Sequence, residues 1–195
     1  MARIPYPERV ADAVSKLPVQ LNAFRMLSHA PPMTGPAIDL GLAVLLESTL
    51  PVRLRELVVL AVASGTQCTY LSVQHSPIAL NAGATPQQLA AIAEQRTDGR
   101  ELDATESAAV TAAFEQVSRH TLSEGTLAAL RARVCDRQVI EIVTTTGYYV
   151  MLAGLMNGLA VDVDPSGEQF LGLVGGGPAE RQAPAVRLRT ESEGM

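Results

Sequence analysis

The stretch RLRELVVLAVASGTQCTYLSVQHSPIALNAG, running from Arg53 to Gly83, decides the fold. Proline is favoured in a first helical turn and glycine just past a last one, so Pro51 predicts a start and Gly65 a stop. Spacings of three and four place Glu56, Val59, Leu60 and Ala63 on one face of that helix. A second helix is predicted from about Gln67 to Ala82, ending at Gly83. Cys68, Leu71, Ser72 and His75 fall on one of its faces, and Ile78 and Ala79 continue it. A carboxylate on an apolar face is costly unless it is paired, protonated or used. An acid, a thiol and an imidazole therefore converge on one seam between the two helices.

Helix signals continue on both sides of this pair. Upstream, Pro7–Leu17, Val19–His29 and Pro36–Glu47 read as three helices, the second stopped by Pro31 and Pro32. Downstream, Thr85, Pro86, Gln87 and Gln88 make a capping box with proline at the first helical position. Ala109, Val110, Ala113, Phe114 and Val117 give the segment from Asp103 to Arg119 helical spacing. Ser123 caps a further segment, and Asp136 caps a long helix from Arg137 to about Leu159. No alternating strand run of useful length occurs, so the fold class is all-α. Residues 1–163 read as one domain. Residues 164–195, with VGGGPAERQAP, read as a Gly/Pro-rich tail that is either loose or an arm packed on a neighbouring subunit.

Composition narrows the function. The chain is 47% hydrophobic but only 4% aromatic, so its interior is aliphatic, as in closely packed helices. A net charge of −5 with no basic run argues against a nucleic-acid partner. The apolar stretch from Tyr148 to Val163 is broken by Gly154, Asn157 and Gly158. It reads as too short and interrupted for a membrane span and as a central buried helix instead. The N-terminal run MARIPYPERVADAV lacks an apolar signal core. Cys68 and Cys135 make no disulfide framework. A cytoplasmic protein with two free thiols and no membrane partner is expected. No Cys/His cluster has zinc spacing, and no phosphate loop or dinucleotide fingerprint occurs, so neither metal nor cofactor is expected.

Three side chains carry the candidate chemistry. His75 suits proton transfer because its unperturbed pKa lies near neutrality. Glu56 pairs with Arg53 or another arginine, or else orients His75 and relays its proton. Its apolar face predicts a carboxyl pKa raised by desolvation. Cys68 lies in the first turn of its helix, where unpaired amides and the helix dipole favour a thiolate. Tyr70, Ser72, Tyr148 and Tyr149 are secondary candidates for binding a substrate, since buried hydroxyls can donate to a carbonyl or carboxylate. Arg53 to Val58 and Gln138 to Val143 also run in parallel, with Glu56 matched by Glu141.

The spacing of Glu56, Cys68 and His75 resembles the carboxymuconolactone decarboxylase and alkylhydroperoxidase D superfamily. The marks of that superfamily are a glutamate, eleven residues, a cysteine position, and a histidine seven further on. The flanking RLRELVVLAVA, the following HSPIALNAGAT and the later QVIEIVTTTGYYVMLAGLMNGLAV are similar to it as well. The resemblance spans roughly Leu17 to Val163. It implies an alkylhydroperoxidase D-like helical bundle and a homo-oligomer, a trimer or a multiple of one. One departure matters: the second cysteine of the peroxidase branch falls on Leu71, which cannot form a disulfide. The resemblance then implies a cofactor-independent enzyme in which Glu56 and His75 move a proton on a small carboxylated, carbonyl or lactone substrate. Two rivals remain: a thiol peroxidase in which an outside thiol resolves oxidised Cys68, and a non-catalytic assembly protein. Room beside His75 separates the first reading from the last.

Overall fold

The computed structural model describes residues 1–165 and 167–170. Over these residues the chain is all-α, with nine α-helices and no strand. They are α1 (Asp12–Ser15), α2 (Asn22–Leu27), α3 (Pro31–Leu42), α4 (Val52–Gly65), α5 (Thr69–Asn81), α6 (Pro86–Ala93), α7 (Ala104–Arg119), α8 (Glu124–Arg131) and α9 (Asp136–Leu159). α3 runs on into a widened π turn, Ala43–Glu47, and a short 3-10 turn, Gly167–Phe170, follows α9. The expected tail lies outside the described residues beyond Phe170.

α4 is the axis of the molecule. All ten residues from Leu54 to Ala63 are buried, as expected of a helix that is apolar all round. One flank packs Leu57, Val58 and Ala61 against Ala109, Val110 and Ala113 of α7, Leu130 of α8 and Ile142 of α9. The other packs Val59, Val62 and Ala63 against Leu71, Tyr149, Leu152 and Met156. Each such side chain contributes about 1.5–3 kcal/mol on leaving water. Ten consecutive buried positions thus hold even a carboxylate and a guanidinium inside.

The chain reverses from α4 to α5 through local hydrogen bonds. Gln67 adopts the left-handed conformation (φ 53°), Cys68 N–H donates to Ala63 O at 2.8 Å, and Gln67 N–H donates to Ser64 O at 3.1 Å. This is a Schellman closure, and its left-handed residue is Gln67. Gly65 is the last helical residue and packs on Val117 of α7. α5 ends in the same way, with Gly83 at φ 89° and Ala84 N–H donating to Ala79 O. The capping boxes at Thr85/Gln88 and Asp103/Glu106 form, and Ser123 caps α8.

The N-terminal third departs from expectation. Pro31 and Pro32 open α3 and do not merely stop α2, because proline at the first positions lacks only an N–H that has no intrahelical acceptor. Of the helix expected over Pro7–Leu17, only Asp12–Ser15 is helical. α9 is 24 residues long and, by length and composition alone, apolar enough to cross a membrane. The interrupted stretch read from the sequence is therefore part of a longer helix, and half of its most apolar window is buried in the protein.

Glycine at position 41 has a steric reason. A Cβ there would overlap the Tyr148 hydroxyl and lie 3.0 Å from its Cζ. Gly41→Ala should cost about 1–3 kcal/mol through overpacking, and Tyr148→Phe in the same chain should restore part of it. Urea midpoints of the two single variants and the double variant measure this coupling. Additive effects would mean that the two residues do not oppose each other.

Candidate functional site

Glu56 and His75 meet inside the protein. The His75 imidazole Nδ1 lies 2.7 Å from Glu56 Oε2. Glu56 is fully buried, and its other oxygen, Oε1, accepts from Arg55 Nε at 3.0 Å and is ion-paired with Arg55 Nη2 at 2.9 Å. Arg55 Nη1 donates to Leu45 O at 2.8 Å, a carbonyl of the π turn. Arg55, Glu56 and His75 thus form one chain of charge-assisted contacts that crosses from α4 to α5. Arg53, the nearer arginine weighed from sequence, pairs instead with Glu106 and Asp103.

This chain reverses one expectation. Burial alone would raise the Glu56 carboxyl, but the charge and hydrogen bond of His75, followed by those of Arg55, outweigh it. The group lies below its ordinary value, so Glu56 is a fixed carboxylate and not a raised acid. Its partner nitrogen then carries the proton, Nδ1–H donating to Glu56. That leaves Nε2 as the working edge of the ring.

Beside His75 is a cavity of about 320 Å³, at the small end of the range for ligand sites. α5 supplies Leu71, Gln74 and His75; α9 supplies Tyr148, Tyr149, Leu152 and Met156. The π turn supplies Leu45 and Leu46, and α2 supplies Ala23 and Phe24. Tyr149 stands edge-on to His75, with ring centroids 4.9 Å apart, and Tyr148 stands edge-on to Tyr149 at 5.2 Å. Both tyrosines are raised by burial, Tyr148 to about 12, so each keeps its proton.

The remaining sequence candidates divide. Tyr70 lines the cavity with its ring, but its hydroxyl donates to Asp164 and takes the Ala23 N–H at 3.4 Å. Ser72 is not among the residues lining the cavity; its hydroxyl turns back to Cys68 O at 3.4 Å. Cys68 does not line it either. The thiol sits at the N-cap of α5, 1% exposed, among the side chains around Ala63 and Leu71. Seven residues along a helix is a rise of about 10 Å, so the position one turn before His75 belongs to Leu71. Burial raises the Cys68 thiol despite backbone hydrogen bonds from Leu71 and Tyr70. The expected thiolate is corrected by this desolvation. Cys68 and Cys135 are both free.

Several residues of the site were not among the sequence candidates. Arg55, Gln74, Gly41 and Asp164 are the main ones. Asp164 binds Asn22 N–H at 2.8 Å as well as Tyr70, while Gln74 Nε2 donates to Asp164 O at 3.2 Å and Pro165 O at 2.8 Å. Arg55 had a signal: it neighbours Glu56 in a helix with few solvent-facing positions. Asp164 had none, because its partners lie 90 or more residues away.

The model of the carboxymuconolactone decarboxylase family matches residues 37–115, a span that includes Glu56, Cys68 and His75. No curated protein matches the sequence significantly. Among solved structures, the fold is similar to the alkylhydroperoxidase AhpD core of an uncharacterized peroxidase-related protein from Ralstonia eutropha JMP134. The identity is 22% over 87% of this chain and 95% of that one, with a TM-score of 0.71. A peroxidase-related protein from Silicibacter sp. TM1040 is 19% identical over the same shares, with a TM-score of 0.72. The debrominase Bmp8, a variant solved in complex with 2,3,4-tribromopyrrole, is 16% identical over 83% of this chain and 85% of that one, with a TM-score of 0.65. These likenesses establish a shared helical architecture. Residues 37–115, which hold Glu56, Cys68 and His75, are thus similar to the carboxymuconolactone decarboxylase family, on a fold shared with AhpD-like proteins.

Proposed function

We propose that the protein is a cofactor-independent acid–base enzyme that moves a proton on a small molecule held in the cavity beside His75. The observation that supports this most directly is the 2.7 Å contact between His75 Nδ1 and the buried Glu56 carboxylate, with the same imidazole lining the cavity. Glu56 holds the ring in one tautomer and stabilises the imidazolium formed when Nε2 takes a proton. His75 and, after it, Arg55 keep Glu56 ionised against its burial. Room beside His75 favours an enzyme over an inert assembly protein.

The thiol reading draws less support. Cys68 is buried, its thiol is raised, and Leu71 occupies the turn next to His75. Cys68→Ser should therefore keep activity within about threefold, since one buried small polar group replaces another outside the proton path. The test is exchange of carbon-bound hydrogen for deuterium in a panel of ketones, lactones and keto acids, followed by NMR. Exchange that persists in Cys68→Ser supports the proposal. Exchange that vanishes there, with peroxide consuming one thiol per chain, would move the function to Cys68.

The same reading includes a homo-oligomer, a trimer or a multiple of one. The family resemblance carries this assembly, and Ile140 and Met151 on α9 and Met33 on α3 are exposed apolar side chains that a partner would cover. Light scattering at micromolar protein should give a mass well above the 20.6 kDa of one chain. A monomer mass would refute the assembly.

A further inference from the structure

Among the described residues, no Asp, Glu, Lys or Arg lines the cavity. The nearest cation, Arg55, lies outside the lining and is ion-paired with Glu56: Nε donates to Glu56 and Nη1 to Leu45 O, while Nη2 stands 2.9 Å from Glu56 Oε1 without a hydrogen bond of its own. Tyr70 and the Gln74 amide nitrogen are likewise engaged, by Asp164 and Pro165. Among the described residues, two buried polar atoms of cavity residues are left without a partner, the Tyr148 hydroxyl and Gln74 Oε1. Tyr148 is 4% exposed and Gln74 is 3% exposed. An unsatisfied polar atom so deep is rare and calls for an explanation.

The free atoms form a short list: the buried hydroxyl of Tyr148, one acceptor at Gln74, and the Nε2 edge of His75. Tyr149 brings a further hydroxyl, and the other side chains on the walls are mostly hydrocarbon. A carboxylate needs several donors or a counter-ion once it leaves water. Here it would find no counter-ion and at most the hydroxyls of Tyr148 and Tyr149, and it would face the carbonyl oxygen of Gln74. A neutral ketone or lactone needs only one donor for its oxygen, and Tyr148 supplies one.

We infer that the cavity takes an uncharged carbonyl compound with a hydrocarbon skeleton, its oxygen on the Tyr148 hydroxyl, and that it rejects carboxylates. This rests on the proton-transfer reading of Glu56 and His75 and narrows it. Decarboxylation starts from an anion, so the chemistry that remains is the relocation of a proton next to a neutral carbonyl. The C–H bond α to the carbonyl breaks, and its proton goes to His75 Nε2. The electron pair forms a C=C bond as the carbonyl becomes an enolate oxygen held by Tyr148. The proton then returns to carbon, at the same or a conjugated position. Glu56 stays ionised throughout, and no oxidant or reductant is consumed.

A matched pair of probes tests this: methyl 4-oxocyclohexanecarboxylate, which is neutral, and 4-oxocyclohexanecarboxylate, its anion at pH 7. Isothermal titration of the wild-type chain should show the ester binding at least about tenfold more tightly, a difference of one affinity decade. Anion binding as tight as ester binding, or no binding of either, overturns the substrate class. Deuterium exchange at the ring positions next to the ketone separates this from the underlying reading. An ester that binds but exchanges equally fast with wild type and His75→Gln sinks the proton-transfer reading and leaves the substrate class standing. An anion that binds better and exchanges only when His75 is present does the reverse. Tyr148→Phe should weaken ester binding while leaving the free protein as stable as before or more so. Unchanged ester affinity in that variant removes Tyr148 from the proposal.

Discussion

Glu56→Gln should destabilise the protein by about 3–5 kcal/mol, the usual cost of leaving one member of a buried ion pair without its partner. Arg55 is 1% exposed and points two of its nitrogens at Glu56. Glutamine keeps the volume of the side chain but gives that guanidinium only a neutral oxygen. A natural domain of this size has about 5–15 kcal/mol of stability in all, so urea unfolding at pH 7 will resolve the loss. The effect also has a pH signature. The folded Glu56 carboxyl lies below its ordinary value of 4.5. Its stabilisation is therefore complete above that value and is lost as the pH falls below it toward the folded pKa. The gap between wild type and Glu56→Gln should be widest at neutral pH and should shrink through this acid range. A gap that grows on acidification would mean that Glu56 is neutral in the folded protein.

His75→Gln should act on rate far more than on stability. A positioned general base contributes about 10²–10⁴-fold, and glutamine can still donate to Glu56 but cannot take a proton. The Arg55–Glu56 pair remains whole in this variant, so the urea midpoint should move little. Loss of exchange with stability retained is the expected result. If the rate stays within a few-fold of wild type, His75 is only a wall of the cavity. The two variants therefore separate the groups: Glu56 carries both the fold and the imidazole, and His75 carries the chemistry.

The meeting of Glu56 and His75 was legible because two apolar helices in sequence leave an acid and an imidazole no cheaper place than each other. Helix boundaries were legible wherever capping chemistry is local, as at Thr85, Asp103 and Ser123. The state of Glu56 was not legible. Desolvation alone raises a carboxyl, and its sign was reversed by His75 and then by Arg55, whose own burial no periodicity announced. Cys68 shares a helix face with His75, yet a face is a stripe that runs the length of the helix, and two turns separate the thiol from the ring. The N-terminal helices were misread because Pro31 and Pro32 are ambiguous locally: proline ends one helix and begins the next with the same geometry. Gly41, Gln74 and Asp164 came from tertiary packing, which a single sequence does not encode locally.

The ties made by the chain ends have a consequence for the order of folding. α4 and α5 join through three residues, and the helices up to α9 pack against them in sequence. The α2 wall of the cavity is closed differently. Asn22 and Tyr70 bind Asp164, Tyr6 and Ala2 bind Asp162, and Arg3 N–H donates to Leu159 O. Several of these contacts span 140 residues or more, and such closures form only after a large loss of chain entropy. The bundle with Glu56 and His75 should therefore assemble first and the α2 wall last, an order that pulse-labelling hydrogen exchange during refolding would check. What forms last with few contacts also opens first. The α2 wall of the cavity is thus held by the chain's longest-range contacts, while the ion pair behind it rests on the α4–α5 reversal.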